Sequence, residues 1–511
     1  MSISPISDKI RTLVELSNLV ESLKTEGKVI VLCHGVFDLL HPGHIRHFQA
    51  AKREGDILIV TVTSDKYVGK GPGRPVFNQK LRSEAIASLQ FVDYVAVNQW
   101  SKATETIKIL KPNVYVKGSD YTKREDDLTQ GIYDEEEAIK SVGGRIHFTD
   151  EITFSSTRLL NLHFDVYPEN AQAFLERFRK DHSAEEIISF LRNLYALRVL
   201  VIGDTIIDEY HYCEAMGKSP KGTVIATKYL EEERFAGGVL AVANQVASFC
   251  ENVNLVTCLG EDRSSEKFII NKLKSNVTHK LFHRTDAPTV VKRRFVQPFS
   301  LSKMFEVCFI DDRPLPQSIT QDVCNHLEAI IKDYDLVIVA DFGHGFIQEN
   351  IISLLCKKAK FLAVNTQSNS ANAGFNFITK YPKADYVCID EPEARFATLD
   401  KFGRIEEVAT NIAGQLHCNR IAITHGQCDT LVYSPEGDFL KIPVMSREVV
   451  DTIGAGDSFL SVTAPCVASG YPMEIAGFIG NVVGALAVRI VCNRASVEPT
   501  PLYTFIKALL G

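Results

Sequence analysis

The stretch Val450–Phe459 reads VDTIGAGDSF and is the most informative segment of this 511-residue chain. Its triplet Gly454–Gly456, with Ala455 at the centre, precedes an apolar run that predicts a helix. Successive backbone N–H groups at a helix start can hold an anion. Asp457 follows at once and can accept the proton of an attacking hydroxyl group. The combination predicts phosphoryl transfer to a hydroxyl group, and the alternative is a glycine-rich turn without a function.

Short apolar runs alternate with amphipathic stretches along the chain that leads to this motif. One series starts at Val29–Cys33, and a second runs from Arg198–Ile202 to Ile421–Thr424. This alternation predicts βαβ units, and therefore α/β domains built on doubly wound sheets. Between the two series, charged helical patterns predict a connecting arm. We therefore expect a first domain at 1–162, a helical linker at 163–196 and a second domain at 197–511.

The composition is ordinary for a globular protein, with 45% hydrophobic and 23% charged residues, which excludes wholesale disorder, fibrous repeats and coiled coils. The net charge of -7 argues against nonspecific binding to nucleic acid or anionic membranes. The most apolar stretch, Ile475–Val488, is too short to span a bilayer. We expect no nucleic-acid partner and no membrane partner.

The compartment is predicted from the start of the chain and from its cysteines. The first 16 residues lack the basic and then apolar pattern of a signal peptide. The 12 cysteines contain no CxxC pair, which is typical of reduced core thiols rather than a disulfide framework or a zinc knuckle. Both observations favour a cytoplasmic protein.

A second informative segment, His34–His44, reads HGVFDLLHPGH and directly follows the predicted strand Val29–Cys33. Gly35 permits close approach to the backbone, and the next helix points its N-terminus at the carboxyl end of the strand, where α/β sheets bind ligands. His41 and His44 can both face a phosphate and stabilise charge on an attacked α-phosphate. The alternative is a zinc site formed by four histidines: His34, His41, His44 and His47.

The His34–His44 segment resembles the HxGH signature of the nucleotidyltransferase superfamily. Later segments extend the likeness: Thr63–Asp65, Arg74–Arg82, Val116–Tyr121 and Thr153–Thr157. Together they look like the Rossmann-like nucleotidyltransferase domain of the bacterial bifunctional heptose enzymes, which joins a nucleoside monophosphate to a sugar 1-phosphate. The glycerol-phosphate cytidylyltransferases are more distant relatives.

This resemblance implies roles for individual residues of the first domain. His41 and His44 would stabilise the transition state, and Lys52 would be a further catalytic residue that holds phosphates. Six more residues would contact the nucleotide or its phosphates: Gly35, Phe37, Arg82, Lys117, Ser156 and Thr157. The charged stretch Tyr121–Gly144 departs from the family's pattern, so the identity of the sugar stays open.

The stretch Val450–Phe459 resembles the DTxGAGD signature of the ribokinase-like (PfkB) sugar kinases. The likeness implies a ribokinase-like α/β domain with a small β lid, which the hairpin pattern at Glu209–Arg234 would form, with Asp457 as the base. Sugar contacts would come from Asp204, Asp208, Gly237, Gly238 and Asn244. Nucleotide and phosphate contacts would come from Gly454, Ala455, Gly456, Thr424, Gly426 and Asn481. Asp390 and Glu393 would organise Mg²⁺ indirectly.

Several positions depart from the kinase family's pattern. Asp390 stands where the family usually has Asn, and His344 stands where it has Lys. Asn365 stands where the heptose kinases have Asp. In the lid, Lys218 and Lys221 could bind a substrate phosphate, although a solvated lid edge explains them equally well. The domain order is also reversed relative to the familiar heptose enzymes.

The two resemblances together imply a bifunctional enzyme that makes a nucleotide sugar with Mg²⁺ as cofactor. One half would phosphorylate a sugar phosphate, such as heptose 7-phosphate, at C1 with ATP. The other half would join AMP to a sugar 1-phosphate, giving an ADP-heptose-like product and pyrophosphate. Two alternatives stay open: a transferase that uses CTP with another sugar or polyol phosphate, and a kinase-like half that only binds or regulates. The lid, which often mediates dimers in the family, implies a homodimer.

Overall fold

The computed structural model describes residues 6–118, 131–149, 167–219, 222–261, 263–370, 372–446 and 448–511. Contacts divide the chain into two compact units, the first formed by residues 1–167 and 503–511 and the second by residues 168–502. No helix within the described ranges is long and apolar enough to cross a membrane.

The first unit is built on a five-stranded parallel sheet in the order β3-β2-β1-β4-β5. Its strands are Ile30–Gly35 (β1), Ile57–Thr63 (β2), Tyr94–Asn98 (β3), Val114–Gly118 (β4) and Arg145–Thr149 (β5). Its helices are Ile6–Lys9 (α1), Leu13–Thr25 (α2), Pro42–Lys52 (α3), Gln79–Ala87 (α4), Thr104–Leu110 (α5) and Gly131–Ser141 (α6). The strand order reverses at β1, and such a switch point opens a crevice at the carboxyl ends of the strands.

Strand β1 is buried on both faces because its alternate side chains enter two different cores. Val31 packs in a core with Phe48 of α3, whereas Leu32 packs on the other face with Leu16 of α2. This explains the continuous apolar run in the sequence. It also fixes α3 beside β1, with the first turn of the helix at the carboxyl edge of the sheet.

The second unit contains a nine-stranded sheet in the order β10-β9-β6-β13-β14-β15-β16-β17-β18. The strands from β10 to β16 in this order are parallel, and β17 and β18 are antiparallel additions. The strands are Arg198–Gly203 (β6), Asn252–Gly260 (β9), Val277–Arg284 (β10), Leu336–Asp341 (β13), Leu362–Thr366 (β14), Tyr386–Asp390 (β15), Ile421–His425 (β16), Asp429–Tyr433 (β17) and Phe439–Pro443 (β18).

A separate four-stranded sheet, β12-β11-β7-β8, forms the lid of the second unit. Its strands are Thr205–Lys218 (β7), Ile225–Gly238 (β8), Val290–Val296 (β11) and Lys303–Phe309 (β12). The predicted hairpin at Glu209–Arg234 is therefore the antiparallel pair β7–β8. The predicted fold class, α/β in both halves with a small β lid in the second, is confirmed.

The second unit also contains the following helices. They are Glu169–Asp181 (α7), Ala184–Asn193 (α8), Val239–Val246 (α9), Arg263–Lys272 (α10), Gln317–Ile330 (α11), Glu349–Lys358 (α12), Glu391–Thr398 (α13), Ile405–Leu416 (α14), Ala455–Ala468 (α15) and Met473–Ala487 (α16). A last helix, Pro499–Leu510 (α17), ends the chain, and its residues from Tyr503 onward are counted with the first unit.

Helices α7 and α8 occupy the region that the sequence predicted as a linker. In the structure, both helices pack within the second unit. The ring centroids of Phe178 and Phe478 lie 4.5 Å apart, and those of Phe190 and Tyr471 lie 4.6 Å apart. The aromatic side chains of the two amphipathic helices have partners far along the chain, which a local charge pattern does not reveal.

Candidate active sites

The second unit contains a cavity of about 510 Å³ beside the lid and the carboxyl ends of the central strands. Cavities of roughly this size commonly bind small ligands and cofactors. The cavity brings together most residues that the sequence assigned to the kinase site: Asp208, Gly238, Asp390, Glu393, Thr424, Gly426, Gly454, Ala455, Gly456, Asp457 and Asn481. Residues that are far apart in the sequence thus form one site.

The first turn of α15 has the geometry of an anion hole. Gly454 is the N-cap residue and has φ +82°, and a Cβ there would lie 2.1 Å from Oδ1 of Asn493. Only glycine tolerates both this backbone conformation and this close contact. The first N–H groups of a helix have no partner within the helix, and the helix dipole adds to their positive field. An anion in the cavity would therefore bind at this helix start.

Asp457 lies in the same turn of α15 and faces the same cavity. Its Oδ1 accepts a hydrogen bond of 2.6 Å from Nε2 of Gln367. Burial raises the pKa of Asp457 to about 6, against the opposing effect of the Gln367 hydrogen bond. A carboxylate with this pKa is mostly ionised at neutral pH and is a stronger base than a surface aspartate, as a general base requires.

Asp390 and Glu393 form a capping box at the start of α13. The carboxylate of Glu393 accepts hydrogen bonds from the backbone N–H groups of Asp390 (3.0 Å) and Ser368 (2.8 Å). Burial raises the pKa of Glu393 to about 7 and also raises the pKa of Asp390. Both oxygens of Glu393 already bind backbone groups. This side chain is therefore suited to holding the backbone of Asp390 and Ser368 in place at the edge of the cavity.

The lid contributes charged side chains to the cavity. Asp208 on β7 pairs with Arg294 on β11, which also pairs with Glu306 at 2.7 Å. Gly237 leaves room for this carboxylate, because a Cβ there would lie 2.0 Å from Oδ2 of Asp208. Lys292, also on β11, lines the cavity and is only 8% exposed. Among the described residues, no hydrogen bond or ion pair to the Lys292 ammonium group is observed.

The sequence analysis did not select Lys292. Lys292 is one of three consecutive cations in the strand VVKRRFV, and the sequence alone does not show which of them faces inward. The strand pairing shows why the residue matters: Lys292 lies opposite Asp208 of β7 in register. Both side chains therefore project from the same face of the lid toward the cavity.

Two residues predicted to contact the sugar have structural partners instead. Asp204 is buried at the end of β6 and accepts hydrogen bonds from the loop after β13, including one of 2.9 Å from the N–H of Phe342. The amide of Asn244 binds the backbone of Lys272 and Lys274. It lines a smaller cavity of about 250 Å³ rather than the main one. The structure thus gives both side chains a role in holding loops.

Asn481 lies in the main cavity wall formed by α16 and the β17–β18 hairpin. Its Oδ1 accepts a hydrogen bond of 2.7 Å from the Thr430 hydroxyl, and its Nδ2 donates to the carbonyls of Ile442 and Pro443. The amide therefore joins the helix to the hairpin. Apolar side chains complete this part of the wall: Val444, Val449, Ala485 and Val488. Such a surface suits the flat face of a nucleobase.

In the first unit, His41 and His44 lie together at the start of α3. Their rings stack with centroids 3.9 Å apart, and Nδ1 of His41 accepts a hydrogen bond of 3.1 Å from the N–H of Gly43. Burial lowers the pKa of His41. Burial, together with the neighbouring histidines, lowers the pKa of His44 to about 3. Both imidazoles are therefore neutral at pH 7 and act as hydrogen-bonding groups rather than as cations.

Gly35, Phe37 and Lys117 lie at the same edge of the sheet. The Phe37 ring meets the His44 ring edge to face, with centroids 5.2 Å apart. A Cβ on Gly35 would lie 2.8 Å from the Phe37 ring. Lys117 is the penultimate residue of β4, and its ammonium is buried and pairs with Glu135 at 2.9 Å. A phosphate would have to share Lys117 with this carboxylate.

Lys52 is a correction to the predicted transferase site. It is the last residue of the 11-residue helix α3, whose first turn holds the histidines. A helix of this length spans about 16 Å at about 1.5 Å per residue. Lys52 pairs with Asp93, which directly precedes β3 at the amino edge of the sheet. The residue therefore lies at the wrong end of the sheet for a catalytic role.

Arg82 is close to the predicted site, but its donors already have partners. The side chain is buried, and its guanidinium donates hydrogen bonds of 2.8 Å to the carbonyls of Phe77 and Thr63. It also pairs with Asp65. Arg82 thus braces the loop after β2. Ser156, Thr157 and Lys221 lie outside the described residues.

The four histidines do not form a metal centre in the part of the chain that the structure describes, where no group of three or more metal-ligating side chains is found. Nδ1 of His34 lies 3.0 Å from the Thr61 hydroxyl, and Nδ1 of His47 lies 2.9 Å from the Thr149 hydroxyl. The zinc alternative has no support in this geometry.

A parallel sheet, a β lid and a helix-start anion hole beside a buried aspartate together define the second unit as a kinase that acts on a hydroxyl group. The model of the pfkB family carbohydrate kinases matches residues 196–498, and the chain belongs to this family. The cytidylyltransferase-like family model matches residues 32–162. The chain therefore combines a sugar-kinase domain with a nucleotidyltransferase-type domain, as the two motifs indicated.

Curated relatives carry the name "Bifunctional protein HldE". The protein of Gluconobacter oxydans (strain 621H) is 38% identical over 148 residues, which cover 29% of each chain. The protein of Citrifermentans bemidjiense is 26% identical over 313 residues, which cover 59% of this chain and 62% of the relative. Each alignment thus spans less than two thirds of the relative's length.

The fold of the second unit also has a solved counterpart. Phosphofructokinase-2 from Escherichia coli, in complex with substrates and products, superposes with a TM-score of 0.50 at 13% sequence identity. The match covers 61% of this chain and 99% of that one. At this level of identity the likeness concerns the fold alone.

Proposed function

We propose that the chain makes a nucleotide sugar in two steps. The kinase unit phosphorylates C1 of a sugar phosphate of the heptose 7-phosphate type with ATP. The nucleotidyltransferase unit joins AMP, from a second ATP, to the resulting sugar 1-phosphate and releases pyrophosphate. The observation that carries the proposal is one cavity in which Asp457, the helix-start anion hole and Lys292 face the same space.

In the kinase step, the C1 hydroxyl gives its proton to Asp457 as its oxygen attacks the γ-phosphorus of ATP. The bond from that phosphorus to the β–γ bridging oxygen breaks, and ADP leaves. The N–H groups at the start of α15 would stabilise the charge on the transferring phosphoryl group. The Gln367 hydrogen bond holds the Asp457 carboxylate in place.

The acceptor should itself be anionic, because the lid presents a cation to it. Arg294 is neutralised by Asp208 and Glu306, whereas no carboxylate pairs with Lys292 among the described residues. A buried ammonium without a partner is costly. A phosphate group on the sugar, remote from the reacting C1 hydroxyl, would supply that partner.

Replacing Lys292 by Met tests this assignment. A charge-assisted hydrogen bond contributes about 1.5–3 kcal/mol, so we expect the KM for the sugar phosphate to rise about 10- to 100-fold, with a smaller change in kcat. Lys228→Met, at an exposed lid position, should leave both constants unchanged. An unchanged KM in the Lys292 variant, measured by steady-state ADP release, would assign the acceptor phosphate to other residues.

Magnesium fits the acidic edge of the kinase cavity. Mutual repulsion adds to burial in raising the pKa of Glu393, with Asp390 and Asp457 as the neighbouring charges. A cation brought in with the nucleotide phosphates would relieve this repulsion and neutralise phosphate charge. Asp390 would face it, and Glu393 would orient Asp390.

In the transferase step, a phosphate oxygen of the sugar 1-phosphate attacks the α-phosphorus of the nucleotide. The bond between that phosphorus and the α–β bridging oxygen breaks, and pyrophosphate leaves. His41 and His44, both neutral, would donate hydrogen bonds to the oxygens on which charge develops. No base is needed, because the attacking phosphate is already ionised.

A product screen by mass spectrometry tests the whole proposal. Purified protein is given Mg²⁺, a panel of heptose and hexose phosphates, and either ATP alone or ATP with CTP. An ADP-linked sugar supports both steps. A CDP-linked sugar, or a product only from added sugar 1-phosphate, favours the CTP-dependent transferase with a non-catalytic kinase half. The second candidate is motivated by His344 and Asn365, which bind Asp312 and the Cys388 carbonyl in the structure.

The lid also supports the proposal of a homodimer. Phe305, Val307 and Phe309 alternate along one face of the edge strand β12 and are 52%, 40% and 42% exposed. An exposed apolar edge strand is a pairing surface. Val307→Asp should shift the dimer to monomer in light scattering coupled to size exclusion, whereas Phe402→Asp, at an exposed position outside the lid, should not. A monomeric wild type would contradict this proposal.

A cytoplasmic location agrees with the cysteines. All 12 are free thiols in the structure, as expected where thiols are kept reduced. Nucleoside triphosphates, the proposed substrates, are also available there.

A further inference from the structure

The last residues of the chain, Tyr503–Gly511, belong to the first unit although they follow the kinase domain in sequence. The kinase family match ends at residue 498, so this C-terminal segment lies beyond it. Phe505, within the segment, is fully buried. These C-terminal residues therefore pack as part of the nucleotidyltransferase unit.

Phe505 packs directly on a loop of the first unit, residues 68–77, which we call the Lys70 loop. A Cβ on Gly71 would lie 2.1 Å from Cδ2 of Phe505, and Gly71 has φ +91°. The aromatic ring thus lies against bare backbone, which any side chain at position 71 would prevent. On its other side, Phe505 lies near the ring of Tyr167, with centroids 6.5 Å apart.

The far end of the Lys70 loop is held by Asp38, a residue of the HxGH segment. Its carboxylate accepts hydrogen bonds of 3.0 Å from the N–H groups of Val76 and Phe77 and pairs with Arg74 at 3.5 Å. The loop is therefore held near its end by Asp38 and by Arg82, which binds the Phe77 carbonyl, and it is held at Gly71 by Phe505. Lys70 is adjacent to Gly71.

Lys70 belongs to the loop that Asp38 ties to the HxGH segment, and its charge is within electrostatic reach of His41 and His44. Its positive charge contributes to the lowered pKa values of His41 and His44. The pKa of Lys70 itself is lowered by burial and by nearby Arg74, but it is raised by Asp38. An ammonium group beside two neutral imidazoles is suited to a polyphosphate, whose charge neither histidine can neutralise.

We propose that Phe505 is a positioning residue of the nucleotidyltransferase site, which holds the Lys70 loop so that Lys70 binds the triphosphate beside His41 and His44. Lys70 donates hydrogen bonds to the phosphates and takes no part in proton transfer. It neutralises charge on the phosphates that leave as pyrophosphate. The inference rests on the proposed transferase function. It adds to that function a cation from the Lys70 loop and a support from residues that follow the kinase family match.

The test uses the full-length protein and four variants. Phe505→Ala and Lys70→Met should each lower the transferase kcat/KM for ATP about 10- to 100-fold, since small misplacements of charged groups cost this much. Phe505→Leu should restore most of the activity lost in Phe505→Ala. Leu16→Ala removes a fully buried side chain from the opposite core of the same unit, and it should leave kcat/KM near the wild-type value at temperatures where the unit is folded.

Hydrogen exchange of the amides of residues 68–77 supplies a readout that does not depend on activity. Exchange should accelerate in Phe505→Ala and stay unchanged in Lys70→Met and Leu16→Ala. A transferase loss in Phe505→Ala no greater than in Leu16→Ala, or unchanged exchange in the loop, would overturn the proposal. If wild-type protein transfers no nucleotide, the proposed function fails, while the exchange data still decide whether Phe505 holds the loop.

Discussion

Asp457→Asn is expected to reduce the kinase kcat by about 10²- to 10⁴-fold, the usual contribution of a general base. Asparagine keeps the size of the side chain and can still interact with Gln367, but it cannot take the proton of the C1 hydroxyl. The substrate KM should change little, because the anion hole and Lys292 remain. Sugar-dependent ADP release by the kinase unit measures the effect.

The pH dependence of the kinase provides a second readout for Asp457. Because burial raises the pKa of its carboxyl group to about 6, the base is active above this pH and is lost by protonation below it. We expect kcat/KM to fall as the pH decreases through about 6 and to level off above 7. Glu393 has a pKa near 7 and titrates in the same range. The decrease in kcat/KM at low pH is therefore assigned to Asp457 only if the residual activity of Asp457→Asn does not show it.

Asp438→Asn is the matched control, since Asp438 is exposed in the β17–β18 turn. It should retain wild-type kinetics. Nucleotide transfer to an added sugar 1-phosphate should be normal in both variants, which confines the effect to the kinase unit. Full kinase activity in Asp457→Asn would remove the base from this mechanism, and it would leave the anion hole as the main catalytic device.

The sequence predicts those parts of the site that are contiguous in the chain. Gly454–Asp457 and His41–His44 each lie at a single helix start, where Gly454 adopts a positive φ at one N-cap and Pro42 begins the other helix, so their geometry is local. Parallel strands are recognisable for a related reason: burial on both faces leaves a continuous apolar run. These elements allowed the fold class and both families to be identified.

Positions that depend on a distant partner were predicted less well. Lys52 has the right residue type on the right helix, but the length of that helix carries it to the opposite edge of the sheet. Arg82 and Asn244 are polar residues near a site whose side chains bind backbone groups instead. Lys292 and Phe505 reach their sites only through strand pairing and tertiary packing. No local pattern records these contacts.

His44→Ala is expected to lower the kcat of nucleotide transfer by about 10²- to 10³-fold, the effect of removing one preorganised donor from a charge-stabilising site. The ring of His44 stacks on His41 and is buried, so it is already oriented before substrate binds. The kinase activity of the same protein should be unchanged, which confines the effect to the nucleotidyltransferase unit. His147→Ala, a half-buried histidine on β5 that lies near Glu54, is the matched substitution and should retain transfer.

The protonation state of His44 decides between two ways in which it could act. With a pKa of about 3, the imidazole stays neutral from pH 5 to 8, and the wild-type transfer rate should show no histidine titration in that range. A rate that falls as the pH rises through about 6.5 would instead show that a cationic imidazolium acts on the phosphate, since the cation is present below its pKa and lost above it. That outcome would require bound nucleotide to raise the pKa of His44 by more than three units, and it would transfer to His44 the charge neutralisation that we assign to Lys70.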